Sequence, residues 1–172
     1  MPVAEIESER LVLRRLMKTD AQAIAGQISD WDVIRMLARP PYPYHLADAE
    51  AYLERAIDYP WEFAVTRRDN EALIGVAGVT GHLGYWLGKA HWGQGYMTEA
   101  ATALINAYFA TAKSKQIISG VFNDNPGSQA VLEKLGFSVT GHSRQFCPAR
   151  EGDVDHIDME LRRATWRERQ AT

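Results

Sequence analysis

Apolar residues fall along this chain in two rhythms that change at position 88. Before it they come in short runs parted by polar turns: Leu11-Val12-Leu13, Trp61 to Thr66, Leu73 to Val79 and Leu83 to Leu87. Runs of this length, bounded by Arg68-Asp69-Asn70-Glu71 and Gly81-His82, predict strands joined by tight turns, hence an antiparallel meander. After it, Met97, Ala100, Ala101, Leu104, Ile105, Tyr108, Phe109 and Ala112 recur at the spacing of a single buried helical face. Ile117 to Phe122 then predicts a buried strand. A helix between two strands makes them a parallel pair with a right-handed connection. Ser128 to Leu135 predicts a short helix closed by Gly136. Phe137 to Thr140 and Val154 to Leu161 predict a last hairpin, and Arg162 to Gln170 a frayed helix. Upstream, Thr19 with Gln22 predicts a capping box for a helix ending near Ile28, and further short helices are expected over Val33–Leu37 and Ala47–Ile57. The prolines of Arg39-Pro40-Pro41-Tyr42-Pro43 exclude regular helix between those two.

The candidate chemistry lies where the rhythm changes. Gly88 to Gly95 is a glycine-bearing loop that opens the long helix. Helix starts offer unpartnered N–H groups and the positive end of the dipole, so such a loop is an anion site. Gly93-Gln94-Gly95-Tyr96-Met97-Thr98 lacks the third glycine of a dinucleotide fingerprint, and no Gly-Lys-Ser/Thr follows it. A bland tight turn is the competing explanation. A second cluster follows in Asn123-Asp124-Asn125-Pro126-Gly127-Ser128 through Glu133-Lys134-Leu135-Gly136-Phe137.

With both clusters in view, the chain resembles the GNAT superfamily of acyl-CoA N-acyltransferases, and within it the Rim-type branch named for ribosomal-protein N-terminal acetyltransferases. Glu9-Arg10-Leu11-Val12-Leu13-Arg14 is similar to that branch's first strand and Gly84-Tyr85-Trp86-Leu87 to its fourth. Gly93 to Ala100 resembles its pyrophosphate loop, and Asn125-x-x-Ser128 with Glu133 to Phe137 its second CoA segment. The resemblance implies a mixed α/β fold: a mostly antiparallel twisted sheet flanked by helices, with one splayed parallel pair, Leu83–Leu87 beside Ile117–Phe122. It implies acetyl-CoA as co-substrate, held by backbone donors at Trp86 and Leu87, by amides from Trp92, Gly93, Gln94, Gly95, Tyr96 and Met97, by the Thr98 hydroxyl, and by Asn125 and Ser128. Ala90 stands where family loops often carry Gln or Arg, which leaves the backbone amides as the anion's main partners.

Composition narrows the setting. The 172 residues fit one domain, 1–172, and 46% hydrophobic with 24% charged residues is ordinary for a globular chain with a real core. A net charge of -3 argues against an electrostatic grip on nucleic acid. No run is long enough to span a membrane, and Met1 to Arg10 lacks a signal's apolar core, so a cytoplasmic enzyme is expected. The single Cys147 excludes an internal disulfide, and the five His show no metal-ligand spacing.

Direct transfer of an acetyl group needs a neutral amine, a polarised thioester carbonyl and a proton for the departing thiolate. Many superfamily members supply that proton from a Tyr four residues before the Gly-Phe pair; here that residue is Leu132. The resemblance points instead to Ser128 as general acid, against its alternative as an N-cap. A thiolate with a pKa of about 8.5 is a tolerable leaving group, so a weak acid or a water serves. The base is less determined. Some relatives use a carboxylate where this chain has Cys147; Glu99, Glu62, His91, His82 and Asp155 are the alternatives, and Glu99 in a first helical turn is favoured there by the dipole without any function. Trp31, Tyr42, Tyr44 and Trp61 are candidates for an aromatic wall around the acceptor amine. Of Tyr85 and Trp86, adjacent on a strand, only one is expected to face the core. A homodimer is compatible with the resemblance alone. The competing functional reading is a non-catalytic acyl-CoA sensor or structural protein, and a third is nucleotide binding without CoA.

Overall fold

In a computed structural model, which describes residues 3–172 and leaves Met1 and Pro2 outside, five strands form an antiparallel sheet in chain order. These are β1 (Glu5–Glu7), β2 (Leu11–Arg15), β3 (Glu62–Arg67), β4 (Leu73–Val79) and β5 (Leu83–Leu87). β6 (Gln116–Phe122), β7 (Ser138–Cys147) and β8 (Gly152–Arg162) form a second antiparallel sheet in the order β6-β8-β7. α1 (Ala21–Ile28), α2 (Trp31–Ile34) and α3 (Leu46–Ala56) lie between β2 and β3 in sequence. α4 (Tyr96–Thr111) crosses from β5 to β6, α5 (Pro126–Leu135) follows β6, and α6 (Arg163–Ala171) ends the chain.

The near-continuous apolar character of β3 and β4 has a physical cause: both faces of the first sheet are buried. Phe63 and Val65 pack with Leu104, Ile105 and Phe109 of α4, and the same cluster takes in Ile117, Val121, Met159 and Leu161 of the second sheet. Ala64 and Val76, on the opposite face, pack with Ile24 and Ile28 of α1 and Leu53 of α3. Tyr85 and Trp86 therefore both find cover. Tyr85 packs against the α4 cluster and Trp86 against the α1–α3 cluster, so the expectation that one of them stays free is corrected by the second apolar layer.

The parallel pair exists, confined to a single point. His82 bridges Ile118, whose N–H donates to the Gly81 carbonyl at 3.0 Å, and the Ser119 hydroxyl donates to the Leu83 carbonyl at 2.8 Å. Beyond Leu83, β5 and β6 belong to different sheets and diverge as a V. Other boundaries moved for local reasons. β1 carries no alternating signal, because Glu5-Ile6-Glu7 offers one apolar residue. β7 and β8 run longer than expected because the polar Gly141 to Gln145 stretch still pairs in full with Val154 to Asp158. The predicted Thr19–Gln22 box gives way to Asp20, which accepts from the Met17 amide at 2.8 Å and from both Arg14 guanidinium nitrogens at 2.8 and 2.9 Å. The tail is docked rather than frayed: Trp166 is buried, its indole N–H donating to Asn106 at 2.8 Å, and Arg163 donates to the Phe109, Ala112 and Ser114 carbonyls at the end of α4.

Candidate active site

The loop at the start of α4 is open to solvent. Trp92, Gly93, Gln94 and Gly95 are exposed, and Gly93 and Gly95 adopt φ of 71° and 77°, the left-handed region that a β-carbon disfavours. No side chain caps the helix, and among the described residues the amides from Gly93 to Thr98 meet no acceptor. The Trp92 amide, expected among them, is corrected out of the set, since it donates to the Lys89 carbonyl at 3.2 Å; six unpartnered donors at a helix N-terminus still make an anion cradle. Arg10 reinforces it with positive charge: its guanidinium donates to the Gln94 carbonyl at 2.9 Å and stacks on the Tyr96 ring at 4.4 Å. Nothing in the spacing of the sequence marked Arg10, since it arrives from β2's lead-in, 83 positions before Gly93. From Gly95 and Thr98 an open groove of about 730 Å³ runs along α4 past Thr102 to Ala107, with Lys134 on its wall.

The V supplies a second set of donors. Gly88 N–H donates to the Ile74 carbonyl, so in the β4–β5 register the residues that exchange ladder bonds are Trp86 with Val76 and Gly84 with Gly78. By that alternation the main-chain groups of Tyr85 and Leu87 point away from β4, into the gap. This corrects the expected pair of donors: the Trp86 amide is turned into the sheet, and Tyr85 takes its place beside Leu87. The Leu87 carbonyl is occupied by the Trp92 indole N–H at 2.9 Å, which leaves the Leu87 N–H facing the gap. The open loop and parted strand edge together fit a long ligand with an anionic end and an amide-bearing arm, which is the donor set acetyl-CoA requires.

At the far side of the gap stands Ser128. The N-cap of α5 is Asn125, whose Oδ1 accepts from the Ser128 amide at 3.2 Å, so the capping alternative for Ser128 is overturned. Freed of that role, the Ser128 hydroxyl lies 2.8 Å from the Tyr85 hydroxyl, which also donates to the Ser128 carbonyl at 3.2 Å. Burial pushes the Tyr85 phenol up to about 12, against the opposing pull of Ser128, so it stays protonated at neutral pH. The chain lacks the tyrosine expected on α5, but β5 brings a different one to the same serine. Strand alternation could have flagged Tyr85; nothing in the sequence says what its hydroxyl touches.

Glu99 is brought to the loop but is fully engaged. Its carboxylate accepts from the Ser8 hydroxyl at 2.6 Å and from the Arg10 amide and guanidinium, both at 2.7 Å. Burial alone would raise it, but the Ser8 and Arg10 donors outweigh that and hold the carboxyl below its ordinary range. That is the environment of a tether between β2 and α4, and a poor one for a proton acceptor. Among the other candidates, Cys147 is buried with its thiol directed at the Leu37 carbonyl at 3.4 Å, and Asp155 pairs with Arg144 on the outer surface. His91 lies by the loop, its imidazolium disfavoured by desolvation and then by Arg67. Glu62 accepts from the Tyr52 hydroxyl at 2.5 Å on the α1–α3 face, where Tyr44 is also half-buried. Of the expected aromatic wall, Trp31 and Tyr42 form an exposed edge-to-face pair at 5.1 Å, whereas Trp61 packs on Tyr108 in the α4 core and leaves the group.

Residues 10–138 match the family model described as the acetyltransferase (GNAT) domain. The chain is 35% identical over 159 residues to the probable N-acetyltransferase YjcK of Bacillus subtilis, covering 81% of this chain and 87% of that protein. It is 24% identical over 187 residues to the ribosomal protein uS5-alanine N-acetyltransferase of Escherichia coli, covering 96% and 94%. In three dimensions it is similar to a GNAT-family acetyltransferase from Bacillus anthracis, with a TM-score of 0.82 at 22% identity over 92% of this chain and 98% of the other. With the family model matched over residues 10–138 and the fold shared, the chain belongs to the GNAT N-acetyltransferase family, with Rim-type enzymes among its relatives.

Proposed function

We propose that this chain, acting as a single domain, transfers the acetyl group of acetyl-CoA directly to a primary amine. The observation that carries this reading is the conjunction of six loop amides that meet no acceptor among the described residues and a strand edge that no described strand covers beside them. Bound acetyl-CoA supplies the activated acyl group as a thioester. Amides from Gly93 to Met97, with the Thr98 hydroxyl nearby, bind its diphosphate, and the groove past Thr102 with Lys134 takes the nucleotide end. The amides of Tyr85 and Leu87 orient the pantetheine arm and polarise the acyl carbonyl. Ser128 Oγ passes a proton to the departing sulfur, and Tyr85 Oη holds Ser128 in place, replacing the tyrosine absent at Leu132. Asn125, committed to capping α5, contributes by fixing the backbone of that turn. Glu99 holds Arg10 against the loop. Nothing in this scheme requires a second copy of the chain. No helix among the described residues is long and apolar enough to cross a membrane.

A thermal-shift screen against CoA, ATP and NAD, followed by thiol release from acetyl-CoA across a panel of protein N-termini, amino acids, polyamines and aminated small molecules, tests the reading. Stabilisation by CoA and turnover on at least one amine are expected. Stabilisation by CoA without turnover on any acceptor would establish the sensor reading instead; stabilisation by ATP or NAD alone would overturn the acyl-CoA assignment.

A further inference from the structure

The face of the V opposite α4 carries a row that no local pattern in the sequence displays. Across the first sheet Glu62 pairs with Gly78, and Gly78 with Gly84. Counting two residues from the His82–Ile118 bridge sets Gly84 level with Gly120 across the gap, and Gly120 pairs with Asp158 on β8. Of these three glycines Gly78 is crowded by the Trp61 carbonyl and the Glu62 side chain, and Gly120 is covered from β8, so the bare floor is Gly84, with a carboxylate in the row on either side. Gly84 is exposed, and a β-carbon built on it would meet nothing within 4 Å.

Over Gly120 lies the ring of His156. A β-carbon at position 120 would fall 2.1 Å from its Cε1 and 2.7 Å from its Nε2, so the imidazole fills the place that glycine vacates. Its Nδ1 is 2.8 Å from Asp158 Oδ1, and the Ser143 hydroxyl donates to that same oxygen at 2.8 Å. Ser143 foremost, then His156, hold the Asp158 carboxyl below its ordinary range, so Asp158 is an acceptor and the Nδ1 of His156 the donor. This tautomer leaves Nε2 with its lone pair, and among the described residues Nε2 meets no partner. The pattern of a carboxylate orienting one ring nitrogen so that the other accepts a proton is the standard construction of a histidine base.

We propose that His156 is the general base of the transfer, with Asp158 as its positioning residue and bare Gly84 as the floor on which the acceptor amine lies. The inference rests on the acetyltransferase reading above and names the base that reading lacks. The amine enters as an ammonium, drawn between Glu62 and Asp158. His156 Nε2 takes one proton and leaves a neutral amine. As the N–C bond forms and the C–S bond breaks, Ser128 gives its proton to sulfur and the second amine proton balances that loss; His156 returns its proton to water. The charged and titratable neighbours that bear on His156 are Asp158 on its own strand, His142 beside Asp158 on β7, His82 at the vertex with Arg39 behind it, and Arg150 across the Phe122 ring.

The test compares kcat/KM against pH for the wild type, His156→Gln and Asp158→Asn, each first shown to be stabilised by CoA as the wild type is. His156→Gln is expected to lose at least about 100-fold in kcat/KM and to lack an acidic limb present in the wild type, with activity partly restored by added imidazole. Asp158→Asn, having lost the acceptor that fixes the Nδ1 proton and the ring orientation, is expected to fall about tenfold in kcat with the KM for acetyl-CoA unchanged. A His156→Gln protein active within threefold of wild type, or one weakened with its limbs unchanged, overturns the assignment. Wild-type chain that turns over no amine in the panel overturns the acetyltransferase reading itself, and is told apart because the variants are then never compared.

Discussion

The two faces of the V are built on opposite plans. The α4 side grips with backbone: loop amides, a strand edge and a helix end, all within two short stretches of sequence. The opposite side is made of side chains delivered by β3, β8 and α3, at positions 52 to 158, around a floor that works because it has none. Backbone binding is indifferent to most substitutions and so yields a recurrent local pattern. The opposite side depends on register across five strands, and a one-residue slip would send each group to the other face. On the proposed reading, the ligand common to the family is held by the first plan and the acceptor amine by the second.

Five substitutions would break or sharpen that contrast, beyond the His156 series. Ser128→Ala should cost about 100-fold in kcat while leaving the KM for acetyl-CoA within threefold, and Tyr85→Phe should add little to it in the double variant, as expected for two hydroxyls in one relay. Independent, additive losses in steady-state kinetics would separate the pair. Gly95→Val, forcing a β-branched residue to a φ of 77°, should weaken CoA binding by about 30-fold by calorimetry, from strain plus displaced amides. Unchanged affinity would mean that the loop is not the anchor.

Glu99→Gln should leave the pH–rate profile intact and lower stability by about 2 kcal/mol, a fall of about 4–8 °C in Tm. The sign of its pH dependence follows from a folded carboxyl held below the ordinary 4.5: the tether is fully present above that value and is lost as pH falls through the lower folded one, so wild type and variant converge in acid. A lost rate limb in Glu99→Gln would restore this carboxylate as a base. The smallest effect is expected from Tyr52→Phe, which frees Glu62 and should raise the acceptor KM about fivefold with kcat unchanged.

How much could be read beforehand divides along the same line. The strands of the meander, the α4 face and the glycine loop follow from local periodicity and turn chemistry, and the structure keeps Leu73–Val79 and Leu83–Leu87 residue for residue. Ser128 was visible by its spacing from Asn125; that it is not the cap could be known only once Asn125 filled that role. Glu99 looked equally apt as base or dipole partner, because the Ser8 and Arg10 that hold it lie about 90 positions away. His156 gave no signal, since its meaning comes from an absent side chain at Gly120 on a neighbouring strand.

Ser119 carries one more implication. In a parallel ladder running on from the His82–Ile118 bridge, the Leu83 carbonyl would receive the next rung from the Gly120 amide; the Ser119 hydroxyl sits on it instead. One residue of β6 thus works as a zip stop, arresting closure two residues short of the glycine that cushions His156. A seven-residue strand is left with its edge toward β5 unzipped past one bridge, and the group that meets the Leu83 carbonyl there is a side-chain hydroxyl rather than a backbone amide.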